Sequence, residues 1–261
     1  AIEQRWADNH LDRLKILAEE IAAKRPVLIV GTASGTVAAA AKAAPDTPIV
    51  QAAGADLAAQ GLVASLARPG GLITGVSNVA VDVTEKNLEL LLAVAPKLKR
   101  VGFLVDPNAV TPKLHLEALQ RSVAQYKVEA LVGEAGRSED IEPAISRLAA
   151  QGAQGLIVMP GPLLMVERRR VASLALARRW PMIGGPAEWA KAGALLSYGV
   201  DYVATCRRAA YYVDRILKGT RPSELPVEQA WVGLTINLRT AKALGIQFPN
   251  SILVRAEKVI G

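Results

Sequence analysis

The chain has 261 residues, enough for two compact α/β lobes of ordinary size. Its formal charge of +7 is spread over segments that mix Lys and Arg with Glu and Asp, as at Glu85-Lys86 and Glu167-Arg168, which argues against a nucleic-acid partner. The single cysteine, Cys206, excludes an intramolecular disulfide and a cysteine-based metal site, and no apolar run approaches the roughly 20 residues that cross a bilayer.

A helix is predicted over residues 11–24, with Leu11, Leu14, Ile16, Leu17 and Ile21 on one face and Asn9 as N-cap. An apolar strand at 27–30 leads into Gly31-Thr32-Ala33-Ser34-Gly35 and an alanine-rich helix. The next strand, 48–52, leads into Ala53-Gly54-Ala55-Asp56. The pattern breaks into a Gly-rich strand around 70–78 and restarts with a helix at 81–95. Strand 101–105 precedes Asp106-Pro107-Asn108 and a helix over 112–126. Strand 155–159 precedes Pro160-Gly161-Pro162 and a helix running through Arg179. Met182-Ile183 leads into Gly184-Gly185-Pro186. A small-residue strand then ends in Ser197-Tyr198-Gly199 and turns at Asp201. The helix that follows carries Ala209, Ala210, Val213, Ile216 and Leu217 on one face, and a last break falls at 219–226.

Strands that are apolar throughout are buried on both faces, as in a parallel sheet covered by helices. Repeated strand–helix units imply right-handed crossovers, so the fold class is α/β with doubly wound parallel sheets. In such sheets ligands sit outside the carboxyl ends of the strands, and helix N-termini there favour carboxylate or phosphate. The leading loop is 31–35. Its amides, with Thr32 or Ser34, suit an α-carboxylate, and Ser34 serves equally as the cap of its own helix. In the second loop Ala53 and Gly54 let a ligand approach the backbone, while Asp56 contacts it or caps a helix. Asp106, Asn108, Pro160 and Gly161 follow two later strands. Tyr198 is placed to reach a ligand, and Asp201 to cap the next helix.

Catalysis has no foothold. His10 and His115 lie in helical or pre-helical surface stretches, and no Gly-x-Ser-x-Gly elbow, P-loop, GxGxxG or metal spacing is present. No catalytic residue, metal or cofactor is therefore assigned. Cys206 reads as a half-buried helix residue, or as a thiol whose pKa the adjacent Arg207 and Arg208 lower. Arg168-Arg169-Arg170 with Arg178-Arg179 reads as a solvated helix face, and Tyr211-Tyr212 as structural.

Three blocks, GALLSYGVDYVATCRRAAYYVDRILKG (193–219), GLVASLARPGGLITGV (61–76) and INLRTAKALGIQFP (236–249), resemble the substrate-binding components of ABC importers. The branch resembled is the tryptophan/tyrosine type, with a type I periplasmic-binding fold. That resemblance implies two lobes joined by three crossover hinge segments and a cleft lined by the post-strand loops. Lobe 1 is then expected at 1–76 plus 197–219 and lobe 2 at 78–196 plus 220–248, with the tail 249–261 assigned to neither.

The resemblance also implies transport without chemistry: capture of an amino acid or aromatic acid, closure of the lobes, and delivery to a membrane permease. The protein would be periplasmic, or extracytoplasmic on a lipid anchor. Related proteins pair the ligand ammonium with an acidic residue after a Gly-Pro turn, a role that falls here on Glu188, beside Trp189 as a stacking or core residue. The family's Gly-Asp-Pro turn is replaced by Gly54-Ala55-Asp56. The polar opening, Ala1 to Trp6, is no signal peptide, and the first βα unit of the family is expected to be absent. A ligand-sensing domain of a regulator or receptor is the alternative on the same fold.

Overall fold

The computed structural model describes residues 1–8, 10–78, 80–109, 117, 120 and 123–261. In chain order, a 3-10 turn at Leu11–Arg13 opens onto α1 (Leu14–Ala23), β1 (Ile29–Gly31), α2 (Ser34–Ala43), β2 (Ile49–Gln51), β3 (Ile73–Ser77) and α3 (Ala80–Val94). There follow β4 (Arg100–Val105), β5 (Glu129–Glu134), α4 (Ile141–Ala150), β6 (Leu156–Val158), α5 (Pro162–Val166), α6 (Arg168–Ala177), β7 (Met182–Gly184) and α7 (Glu188–Ala192). The last elements are β8 (Leu196–Val200), α8 (Tyr202–Leu217), β9 (Glu228–Gln229), β10 (Val232–Asn237), α9 (Leu238–Leu244), α10 (Asn250–Leu253) and β11 (Lys258–Ile260).

These elements form two compact units, Ala1–Val79 with Asp201–Trp231, and Ala80–Val200 with Val232–Gly261. The chain therefore passes between units three times. The last passage falls at Trp231 rather than near Gly219. The segment after α8 stays in the first unit because it is bonded there: Val227 N–H donates to Leu66 O at 2.7 Å, and the buried Thr74 hydroxyl donates to Leu225 O at 2.7 Å. The tail stays in the second unit, where β11 pairs parallel with β10.

The first unit holds a parallel sheet of order β1-β2-β3-β9. One face carries Ile29, Val37, Ala40, Ile49 and Leu57, under α2. The other carries Val50, Val76, Ala209, Tyr212 and Ile216, under α8. Gly75, at φ 130°, lies so close to β2 that a Cβ there would stand 2.2 Å from Gln51 O. The second unit holds a sheet of order β11-β10-β8-β7-β6-β4-β5, in which β10 runs antiparallel to β8. Along β6, Ile157 faces the core formed with Leu88, Leu91 and Phe103. Its neighbours Leu156 and Val158 face the core of Ile145, Leu148 and Val171. Period-2 alternation in a strand apolar on both sides is the signature of a sheet covered by helices on each face.

Several expectations change at the edges. β1 is an edge strand with β2 as its partner, and Val30 is 46% exposed, so it is not buried on both faces. In α1 the buried residue is Ala18, while Ile16, and Leu11 in the preceding 3-10 turn, are exposed. α1 packs on the small residues of α2, where Leu14 approaches Gly35, so bulk is not needed along the whole stripe. Asn9, His115 and most of the helix expected over 112–126 lie outside the described residues. The helix expected to run through Arg179 is broken at Glu167, between α5 and α6. In α8 the buried stripe is Thr205, Ala209, Tyr212 and Ile216, and Leu217 is exposed. Cys206, on the flank of that stripe, is exposed rather than half-buried. The arginines are not simply solvated: Arg170 Nη1 donates to Ser138 O at 2.9 Å, and Arg178 Nη2 to Ser146 Oγ at 3.1 Å.

Candidate functional site

In the first unit the loops after β1 and β2 are joined by a backbone bond from Ala52 N–H to Gly31 O, 2.8 Å long. A Cβ at Gly31 would stand 2.6 Å from Val37 Cγ2, so glycine is what lets α2 begin directly above the strand end. Thr32 is exposed. Ser34 is the first residue of α2, and the N-cap position belongs to Ala33. The turn is closed by Thr36, whose hydroxyl accepts from Ala33 N–H at 3.1 Å and donates to Ala33 O at 2.6 Å. Capping by Ser34 at its own helix start is thereby corrected: a residue inside the first turn is one position too late for that role.

The loop after β2 is clamped from beneath. Gln51 is fully buried, and its Nε2 donates to Ala55 O, Val76 O and Ser77 Oγ at 3.1, 3.0 and 3.2 Å. Asn78 N–H donates to Gly54 O at 2.6 Å, so Ala53 and Gly54 sit in a loop bonded to the end of β3. Asp56 turns its carboxylate back, with Oδ1 accepting from Ala58 and Ala59 N–H at 2.8 and 3.2 Å. Gln51 and Ser77 escaped the sequence reading, although a glutamine ending an apolar strand is a signal of a buried polar clamp.

In the second unit the chain goes from β4 to β5 on one side and to β6 on the other, so the strand order reverses between β4 and β6. The two loops at that switch point carry Asp106 with Asn108, and Pro160 with Gly161. They touch: a Cβ on Gly161 would stand 2.8 Å from Asp106 Cβ and 3.1 Å from its Oδ2. Asp106 is 3% exposed, and its Oδ1 accepts from Asn108 N–H at 2.9 Å. Asn108 Nδ2 donates to Gly136 O at 3.1 Å, tying in the loop after β5. A buried carboxylate at a strand-order reversal is placed where open α/β sheets receive a ligand.

Glu188 opens α7 and pairs with Lys191 at 3.5 Å, one turn along. Trp189 is buried and lies over Gly184, where a Cβ would stand 2.4 Å from its Cγ; this tryptophan fills the core. Tyr198 lies within β8, opposite Leu234, and packs on the core. Asp201 caps α8, its Oδ1 accepting from Val203 and Ala204 N–H, each at 3.0 Å.

A charged network lies on the α8 face of the first unit's sheet. Arg208 makes two bonds to Glu228, one from Nε to Oε2 at 2.7 Å, and its guanidinium lies 4.1 Å from the Tyr211 ring centroid. The Arg208 hydrogen bond holds the Glu228 carboxyl below the usual carboxylate range. Burial, and then the Glu228 charge, push the Tyr212 phenol up. This network braces α8 against β9 and is structural. A groove of about 460 Å³ between α1 and α2, lined by Leu14, Ala38 and Lys42 among others, lies on the helical layer rather than at strand ends. Among the described residues no group of His, Cys, Asp and Glu could hold a metal ion.

The family model for ABC transporter substrate binding proteins matches residues 2–260. The chain is similar to a tyrosine-binding protein of Clostridioides difficile (strain R20291), with 28% identity over 244 residues, covering 92% of this chain and 69% of that protein. An ABC domain from Streptococcus pneumonia, solved in complex with L-Trp, superposes with a TM-score of 0.81 at 23% identity, over 96% of this chain and 84% of that one. The ligand-free, open structure of a substrate binding protein with adhesive properties from Clostridium difficile superposes with a TM-score of 0.72 at 27% identity, over 97% and 85% of the two chains. These superpositions give the chain the type I periplasmic-binding fold, with its mixed sheet in the second unit.

Proposed function

The chain belongs to the ABC transporter substrate-binding protein family, and from that premise we propose that it is the solute-capturing component of an importer for an aromatic amino acid. The family works outside the cytoplasm and serves a transporter permease, and the small-molecule ligand is common to it. The observation that carries the reading to an amino acid is the match to a tyrosine-binding protein over 92% of the chain. The loops are consistent with it. Amides at the start of α2, after Gly31 and Thr32, suit a carboxylate, since unpaired N–H groups and the helix dipole favour negative charge there. The buried Asp106, beside Gly161, suits an ammonium, and Glu188 is a second acidic candidate already engaged by Lys191. The inter-lobe cleft, closure over the ligand and presentation to the permease follow from this reading.

The test is a thermal-shift and calorimetric screen of the chain against L-tyrosine, L-tryptophan, L-phenylalanine, L-leucine, their amides, sugars and nucleosides. Binding to the folded state raises the melting temperature by mass action. Selective stabilisation by free aromatic amino acids, with the amides much weaker, is the expected result. Stabilisation by sugars or nucleosides in place of amino acids would sink the proposal, as would no shift with any of them.

A further inference from the structure

We propose that α8 is a self-association surface, through which this chain meets a second copy of itself as an antiparallel pair of α8 helices. The inference goes beyond the solute-binding reading and does not depend on it. α8 has 16 residues, about 24 Å of helix, and its sheet-facing stripe is Thr205, Ala209, Tyr212 and Ile216. Beside that stripe runs a second apolar line: Val203, Cys206, Ala210, Val213 and Leu217. Steps of three and four residues, repeated, are the spacing of a seam between two packed helices. The seam is open: Val203 and Leu217 expose 54% and 59% of their surface, and Cys206 and Ala210 are exposed too. Val213, half-buried, joins it to the core beneath.

Charge and size choose the occupant. On the solvent side of the seam stand Arg207 and Asp214, two turns apart and both exposed. Let two copies of α8 cross antiparallel at Ala210. Val203 then faces Leu217 of the second copy at either end, and the small Ala210 faces its counterpart where the helices come closest. The same register sets Arg207 against Asp214 of the second copy, twice by symmetry. The Asp214 carboxylate accepts from Lys218 Nζ at 2.9 Å and has further lone pairs for a second cation. A parallel pair would instead set Arg207 against Arg207 and Asp214 against Asp214. The surface is therefore complementary to itself in one orientation, which is what a two-fold interface requires.

The helix that presents the seam is already held in place. Asp201 caps its start, Arg208 pairs with Glu228, and the Tyr212 hydroxyl donates to Pro226 O. Docking therefore orders a few side chains and no backbone, which keeps its entropic cost low. A single pair of helices this long covers less than the roughly 1,600 Å² of a standard interface. The dimer is thus weak and set by concentration, and its charge pairs lie at the rim, where salt screens them.

Sedimentation equilibrium of the full chain tests the inference. The expected result is a monomer–dimer equilibrium that shifts toward dimer with concentration and toward monomer with added salt. Leu217→Glu, at an exposed position, should raise the dimer dissociation constant more than about tenfold and leave the melting temperature nearly unchanged. Arg207→Asp and Asp214→Arg should each weaken the dimer by setting like charges together, and the chain carrying both should dimerise again. Cys206 reports the register. Crossing at Ala210 leaves the two Cys206 positions about 12 Å apart along the helices, too far for a direct disulfide and within reach of a bis-maleimide of that span. A chain that stays monomeric up to about 1 mM overturns the inference. So does a dimer untouched by Leu217→Glu, a double variant that fails to recover, or a Cys206 disulfide dimer under mild oxidation, the mark of a parallel pair.

Discussion

Replacing Tyr212 by phenylalanine removes one hydroxyl from the brace between α8 and β9. Tyr212 is 1% exposed, and its hydroxyl donates to Pro226 O at 2.6 Å. Phenylalanine keeps the ring in its packing with Val50, Ala52, Val76 and Leu225, so the variant removes the bond and leaves no cavity of a ring's size. Pro226 is itself exposed, and the bond to its carbonyl is only partly buried. The cost is therefore that of an ordinary net hydrogen bond, about 0.5–1.5 kcal/mol, rather than the larger penalty of a stranded buried acceptor. With a urea slope of about 2 kcal/mol/M, the unfolding midpoint should fall by roughly 0.25–0.75 M. Tyr212→Ala, which empties the ring's site, should cost about 3–5 kcal/mol.

The same variant has an alkaline signature. Burial first, and then the Glu228 charge, raise the folded phenol above its unfolded value. Between those values the unfolded chain releases a proton that the folded chain keeps. The stability linked to the phenol is thus complete below about pH 10 and is lost as pH rises further. Phenylalanine has no such proton, so the gap between parent and variant should narrow above about pH 10. Urea unfolding followed by far-UV circular dichroism at neutral and alkaline pH reads both effects. Coincident neutral midpoints, or a gap unchanged at alkaline pH, would refute the reasoning.

Gly75→Ala should destabilise the first unit by on the order of 3 kcal/mol or more, because φ is 130° and the new Cβ would meet Gln51 O at 2.2 Å; a thermal melt within about 1 °C of the parent would contradict that. For Glu228→Gln the signature is acidic. The Arg208 hydrogen bond lowers the Glu228 carboxyl, so its contribution is present above about pH 4.3 and lost as pH falls through the folded value. The variant should be less stable than the parent at neutral pH and match it in acid, as melts across that range will show. Asp106→Asn should weaken amino-acid binding by about 10–100-fold with little change in melting temperature, and Glu188→Gln by much less, since Lys191 already holds that carboxylate. Calorimetry that reverses the order would move the ammonium contact to Glu188.

Much of the fold is legible in the chain because the relevant signals are local. The apolar cores of β2, β4, β6 and β7, each followed by small or turn-forming residues, need no knowledge of their neighbours to be read as buried strands. Asp201 is readable as a helix cap for the same reason. The short strands β9 and β11 are different: two and three residues long, they exist through ladders to β3 and β10. β5 likewise gains its place by pairing with β4 across some 30 residues of sequence. Nor does apolar periodicity tell an edge from a centre, which is why β1 looks fully buried as a sequence and exposes Val30 in the structure.

The candidate site divides along the same line. Loops rich in Gly, Ala, Asp and Asn mark themselves, and Gly31, Gly54, Asp106 and Gly161 are recognisable from composition alone. What composition cannot supply is which of them meet. Asp106 and Gly161 come together because strand order reverses between β4 and β6, a fact of sheet topology 55 residues wide in sequence. Trp189 and Trp231 are both indoles beside a turn, and only packing makes the first a core residue and the second an exposed one. The sequence by itself determined the α/β class and the set of loops that a ligand can approach, since both depend on neighbours in the chain. Burial, pairing and the choice among chemically equal side chains were decided by tertiary structure, because each depends on atoms that the chain brings close from far along its length.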